Sequence, residues 1–152
     1  MKVRRVVTGL NSSGRSCIAL DAPMDTVVDG AVKMIWTSDG VPARNDGEVG
    51  AADFKFNFDV PRQGGTAFVL MEVPAGKTLE QVWMHASNTL DYVVIVRGRV
   101  EFVVETGTVI LEAGDVLVDR GVLHGARAVG TENAVMAVIL LPAHPVGKGA
   151  TV

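Results

Sequence analysis

The sequence predicts an all-β protein, an antiparallel double sheet of the jelly-roll barrel type, from three features. Short runs dominated by Val, Ile and Leu fill its second half: "TAFVLMEV", "YVVIVRG", "RVEFVVET", "GTVILEAG", "DVLVD" and "AVMAVILLPA". Gly98, Gly107, Gly114, Gly121 and Gly130 break these runs at intervals of about 7–9 residues, the turn spacing of a β-sandwich or barrel. The one stretch with helical character, "KTLEQVWMHASN", lacks a sustained apolar face, so no helices are available to cover a parallel sheet.

Taken in order, "VRRVVTGL" and "RSCIALD" flank "NSSG" and read as a hairpin. "AVKMIWT" follows as a strand closed by "SDG", with Met34 and Trp36 sharing a face. In the Gly-rich stretch beyond it, Phe54, Phe56, Phe58 and Val60 alternate with Lys55, Asn57 and Asp59, a period of two that buries one face. That segment is either an edge strand on the core or an aromatic wall for a pocket or dimer contact. Residues 1–152 read as a single domain, a core barrel over about 67–143 with the strands of 1–66 extending its sheets.

Composition narrows the function classes. With 48% apolar and 20% charged residues the chain is globular. A net charge of −3 without any Lys/Arg cluster argues against a nucleic-acid surface, and no helix-turn-helix pattern accompanies the strands. The apolar "VVTGL" behind Lys2, Arg4 and Arg5 is too short for a signal-peptide core, and no run approaches membrane-spanning length, so the cytosol is the expected location. The single Cys17 excludes an intramolecular disulfide and is expected to be a small buried hydrophobe. "NSS" at Asn11 fits the glycosylation pattern by chance in a chain without a secretion signal.

Chemistry concentrates at His85, Asp91 and His124, polar residues in otherwise apolar strand territory, whereas His144 lies between prolines in a Gly-rich tail. Two imidazoles and a carboxylate can make three facial bonds to a divalent metal and leave positions open for water or substrate. Strand parity points Val93 and Ile95 inward with Asp91, points Ala126 and Ala128 inward with His124, and turns Tyr92 and Arg127 outward. Trp36, Met84, Ser87, Val93 and Ala126 are the candidate pocket residues. Glu101 is either an inward base or a surface residue.

The order of these features resembles the cupin superfamily over about Ala67–Ala143. The first cupin motif runs His-x-His, three or four residues, Glu, six residues and Gly. Here it reads His85-Ala86-Ser87, "NTL", Asp91, "YVVIVR" and Gly98. The second runs from Gly through Pro-x-Gly to His and, after three residues, Asn, and here reads Gly114, "DVLVDR", Gly121, "VL", His124 and Ala128. Ser87 stands in the slot of the second His, Asp91 replaces Glu with one methylene less reach, and Arg120 falls near the usual Pro. His85, Asp91 and His124 match the slots in which the 3-hydroxyanthranilate dioxygenase type holds iron with two His and one Glu.

The resemblance implies a small jelly-roll barrel, a homodimer to which the apolar N-terminal hairpin crosses, and a divalent transition metal (Fe, Mn, Ni or Zn) on His85, Asp91 and His124. The implied activity is metal-dependent chemistry, by Lewis-acid or oxygen activation, on a small carboxylate, hydroxy-ketone or aromatic compound. The alternative is a metal-free barrel that binds a small molecule as a sensor or accessory protein. Between the two lies a metal-free enzyme with His85 or His124 as acid/base.

Overall fold

The computed structural model describes residues 3–24, 32–46, 57–147 and 150–152. Ten strands dominate it: β1 (Val3–Leu10), β2 (Ser16–Met24), β3 (Val32–Ser38), β4 (Thr66–Val73), β5 (Thr89–Arg97), β6 (Arg99–Val104), β7 (Gly107–Glu112), β8 (Val116–Asp119), β9 (His124–Ala128) and β10 (Ala134–Pro142). All pairings are antiparallel. A five-stranded sheet in the order β3-β4-β10-β5-β8 faces a three-stranded sheet in the order β7-β6-β9, and the non-consecutive neighbours are the crossovers of a double-stranded β-helix. The all-β jelly roll expected from the glycine spacing is what the chain forms.

Period-two patterning explains which way each strand faces. Along β5, Asp91, Val93 and Ile95 are buried while Tyr92, Val94 and Val96 are exposed. Met136, Val138 and Leu140 of β10, Val69 of β4, Met34 of β3 and Val100 of β6 close around them in one core. Side chains as buried as Ile95, at 2% exposure, stabilise the fold by about 1.5–3 kcal/mol each.

Three N-terminal expectations change. β1 and β2 pair with each other in a separate two-stranded ribbon instead of extending a sheet, whereas β3 does join β4. Asn11 shapes the ribbon's turn, its Oδ1 accepting the Ser13 and Arg15 N–H groups at 3.0 Å each. The ribbon is tied to β3 by Arg5, whose Nη1 donates to Ile35 O at 3.3 Å. Cys17, on β2, is only half-buried rather than part of the core. Phe58 and Val60 do not continue an extended strand: Asp59–Arg62 is a short helix, α1, behind Phe58. Asn57 Oδ1 accepts the Asp59 N–H at 2.7 Å, and Pro61 is tolerated in a first helical turn where its missing N–H is not needed. Phe54 and Phe56 lie outside the described residues. The helical character of "KTLEQVWMHASN" reduces to a 3-10 turn at Leu79–Gln81, where the Thr78 and Gln81 side chains cap each other's backbone.

Two glycines let the loops approach closely. Gly121 has φ +72°, and a Cβ there would sit 2.8 Å from Thr89 O and closer still to Ser87 O. A Cβ at Gly125 would sit 2.8 Å from Trp83 O. Both absences press the 83–89 segment onto the β8–β9 connection. Gly121→Ala is therefore expected to cost about 2–4 kcal/mol, combining strain at positive φ with backbone overlap. Gly107→Ala, with nothing within 4 Å of its Cβ, should cost less than about 0.5 kcal/mol. Urea unfolding of both variants checks the contrast.

Candidate active-site cavity

Between the two sheets lies a cavity of about 320 Å³. Its walls are mostly apolar: Val93 and Ile95 from β5, Val100 and Phe102 from β6, Leu117 from β8, and Met136, Val138 and Leu140 from β10. Glu72 and Lys77 also line it, and four further polar side chains, His85, Asp91, Asp119 and His124, enter it as one cluster.

Strand register brings them together. Asp91 of β5 is the direct partner of Asp119 of β8, so both carboxylates point inward, at 8% and 3% exposure. His124 opens β9, and its backbone exchanges two 2.8 Å hydrogen bonds with His85, which places the two rings 4.4 Å apart. Aromatic rings frame the pair. Trp83 stacks on His85 at 4.1 Å, Phe102 stacks on His124 at 5.1 Å, and Phe58 meets His85 edge-on at 6.3 Å.

His124 Nδ1 lies 2.8 Å from Val122 O and 2.9 Å from Asp119 Oδ2. A carbonyl oxygen only accepts, so Nδ1 carries the proton and Nε2 is the nitrogen left for chemistry. The Nδ1–H is aligned on Val122 O, which leaves the nearby Asp119 Oδ2 without a well-directed hydrogen bond. Asp91 Oδ1, Asp119 Oδ1 and His85 Nδ1 are also buried without a hydrogen-bond partner. The cluster holds electron pairs that nothing among the described residues satisfies.

Burial pushes the Asp91 carboxyl up to about 6; a Thr89 hydrogen bond opposes the rise, the Asp119 charge adds to it, and His124 opposes it. Burial and then the His124 charge lower His85. Burial also pulls His124 down, but the adjoining Asp119 carboxylate and the hydrogen bond to Val122 O, with the charge of Asp91, outweigh that pull and leave it raised.

Residues 69–140, just under half of the chain, match the family profile of the cupin domain. The chain carries a cupin domain. Cupin structures of similar fold include a cupin-2 domain protein from Shewanella frigidimarina NCIMB 400, at 21% identity over 49% of this chain and 68% of that one, with a TM-score of 0.40. A cupin 2 conserved barrel protein from Salinispora arenicola CNS-205 shares 20% identity over 51% of this chain and 64% of its own, with a TM-score of 0.45. HppE with Fe(II) and substrate shares 14% identity over 50% of this chain, with a TM-score of 0.45, and this chain spans only 45% of its length. The sequence finds no match among curated proteins. These likenesses concern the barrel and assign it no chemistry.

His85, Asp91 and His124 do meet in the cupin cavity, yet among the described residues no three His, Cys, Asp or Glu side chains are arranged to hold a metal ion. The donors are chemically suited to a metal, but as placed they do not form its ligand set. The Nδ1–H of His124 on Val122 O leaves its Nε2 free, the way a ligating histidine is usually held, so it is the placing of the side chains and not their chemistry that falls short.

Val93 and Ala126 line the cavity as expected, while Trp36, Met84 and Ser87 do not. A register shift between Met34 and Trp36 breaks the parity of β3, so Met34 pairs with inward Val69 but Trp36 pairs with outward Phe68. Met84 alternates away from Trp83 and His85 and brings its sulfur toward Gly125. Ser87 is buried with its hydroxyl 2.7 Å from Thr89 Oγ1, engaged below the cavity. Tyr92 faces outward as expected, 44% exposed. Arg127 also points away from the cavity but is not solvated: its Nε donates to Glu101 Oε2 at 2.7 Å and its Nη1 to Lys77 O at 3.0 Å. Glu101 is thus neither an inward base nor a solvated residue.

Phe58 lines the cavity, as the aromatic-wall reading of its segment allowed, whereas Asp119, Trp83 and Phe102 were not among the expected cavity residues. Parity was the available signal for two of them, since Asp119 shares a face with Leu117 and Trp83 with His85.

A pH-dependent stability follows from Asp91. Well below pH 4 its carboxyl is protonated in both folded and unfolded chains and costs nothing. As pH rises from about 4 to about 6 the unfolded chain ionises the group while the folded chain still holds its proton, and across that window on the order of 3 kcal/mol of stability is lost. Asp91→Asn is expected to gain on the wild type by that order between pH 4 and 7.5, read by urea unfolding at each pH. A difference between the two that does not change with pH would contradict this.

Proposed function

We propose that this cupin binds a small, largely apolar organic molecule in the barrel cavity and moves a proton at its polar group. The observation that carries the reading is the buried pairing of Asp91 and Asp119 beside His124 in an otherwise apolar cavity. Asp91, ionised at neutral pH but held well above the ordinary carboxylate range, suits a general base. His124, held in one tautomer by Val122 O and favoured in its charged form by Asp119, can donate from Nε2. Base and acid on one cavity support a proton shift such as isomerisation or the first step of an elimination.

The test uses deuterium exchange. A compound found by thermal-shift screening should exchange a carbon-bound proton with D₂O in the presence of the protein, read by proton NMR. Asp91→Asn should lower that exchange by about 100-fold or more while leaving binding in place. Undiminished exchange in Asp91→Asn would remove the assignment of the base. The unsatisfied oxygens favour a second reading, a divalent transition metal drawn into the same cavity. Metal analysis of untagged protein, with exchange measured before and after chelation, separates the two: exchange that survives chelation supports proton transfer by the side chains alone.

Assembly belongs to the same proposal. The outer face of the five-stranded sheet presents Phe68, Ile139, Tyr92 and Val118 in one cross-strand row and Leu70, Ala137, Val94 and Val116 in the next. Val116 is 70% and Val118 57% exposed, and across β4, β10, β5 and β8 no charged side chain interrupts these two rows, Lys33 of β3 standing at the margin of the second beside Leu70. Such a face can pack on a second copy of itself without stranding a charge, and a patch of roughly 300–600 Å² is already large for a monomer. A homodimer is expected by sedimentation, with Val94→Glu plus Val116→Glu shifting it to single chains. Wild-type protein that sediments as one chain at micromolar concentration would overturn the assignment.

A further inference from the structure

The cavity's unsatisfied atoms specify which polar group the ligand carries. Asp91 is 8% exposed and its Oδ1 has no partner; Asp119 is 3% exposed and its Oδ1 has none either. Ionised carboxylate oxygens only accept hydrogen bonds. A ligand that completes this site must bring donors, and an acceptor-only head would face these oxygens with nothing between them.

Charge points the same way. Besides the two histidines, the cavity-lining cation is Lys77, which is exposed on the loop before the 3-10 turn, whereas Asp91 and Asp119 sit within the walls. Glu72, the remaining lining carboxylate, is engaged by Asn133 Nδ2 at 3.4 Å and by Arg97 at 3.6 Å. A carboxylate or phosphate entering the cluster would lose its hydration and meet two negative groups. An ammonium would meet two negative groups in a cavity that Phe58, Trp83 and Phe102 also line.

Resting on the reading of the cavity as a small-molecule site, we infer that its ligand is an amine: a protonated primary or secondary amino group directed at Asp91 and Asp119, on an apolar or aromatic body. The walls accept the body. Met71, Val93, Ile95, Leu117, Val138 and Leu140 offer no hydrogen bond, and 320 Å³ holds a body of one or two rings. An amine ligand departs from the carboxylate class that the family resemblance implied.

Three probes of matched shape test the inference: 2-phenylethylamine, 2-phenylethanol and phenylacetate, titrated calorimetrically into full-length protein at pH 7.5 after chelator treatment. The amine is expected to bind at least tenfold more tightly than phenylacetate, and more tightly than the alcohol. Asp119→Asn should weaken the amine by about tenfold and the alcohol by much less. The wild-type ranking stands as a test even if that variant does not fold. Phenylacetate binding as tightly as the amine overturns the inference while leaving the cavity a small-molecule site. If none of the three binds, the amine inference fails; if the compounds found by thermal-shift screening also bind Ala126→Phe, whose ring would fill the cavity, as tightly as the wild type, the small-molecule reading of the cavity itself fails. A second titration with added Mn(II) or Zn(II) that reverses the ranking in favour of phenylacetate also overturns the amine assignment.

Discussion

The register between β5 and β8 is the constraint on which the site depends. It spans four residue pairs, from Asp91 opposite Asp119 to Val94 opposite Val116. Because strand side chains alternate, a slip of one residue in β8 would turn Asp119 and Leu117 outward and drive Val116 and Val118 into the cavity. Holding the native register requires burying two carboxylates side by side, an arrangement that on its own is unfavourable. The apolar core offsets it. Ile95, Val69, Val100 and Met34 are each no more than 2% exposed, and their contacts fix the strands that carry the acids. Stability is thus concentrated a few residues from the groups that diminish it.

A second arrangement aims the histidines. Glu101 and Arg127 lie on the outward face of β6 and β9, opposite the cavity, and Arg127 Nη1 reaches across to Lys77 O. That contact pins the segment which then runs through the 3-10 turn to Trp83 and His85. An ion pair outside the barrel therefore helps set the position of a ring inside it. Gly125 completes the arrangement by lacking a side chain where that segment crosses β9. Arg127 Nε and Nη2 converge on the single oxygen Oε2 of Glu101, and this partly buried pair is less screened by solvent than the two-oxygen fork of Arg4 on Asp21 in the exposed ribbon.

Much of this was legible in the residues, and the limits have physical causes. β5 alternates without interruption, so the inward aim of Asp91, Val93 and Ile95 and the outward aim of Tyr92 could be read from parity alone. Ala126 followed from His124 by the same rule. Trp36 did not, because one extra residue in β3 reverses parity and a bulge leaves no mark in "KMIWT". Phe58 misled for a related reason: its alternation with Asn57 and Asp59 imitates a strand, while the Asn57 cap and Pro61 favour a helical turn. Parity placed Asp119 on one face with Leu117, but its pairing with Asp91 could not be read, because cross-strand partners are set by three-dimensional pairing. Ser87 occupies a family ligand slot in the sequence, but Thr89 captures its hydroxyl, a local contact that motif spacing does not encode.

The unsatisfied oxygens of Asp91 and Asp119 connect stability to function. A buried acceptor left without a donor costs about 1–3 kcal/mol, whereas a made hydrogen bond contributes only about 1 kcal/mol net. Most of the benefit from pairing such an oxygen is therefore the relief of a penalty already present in the empty barrel. The desolvation that ordinarily opposes binding of a polar group has, on the protein's side, been paid during folding. A ligand bringing a donor loses its own hydration but finds acceptors that have none to lose, fixed in direction by strand register and by a histidine locked on Val122 O. A core built for stability alone would place apolar side chains at both positions. Carboxylates there make the folded chain weaker when empty and more selective when filled, which is the balance expected of a binding site set into a scaffold rather than of the scaffold itself.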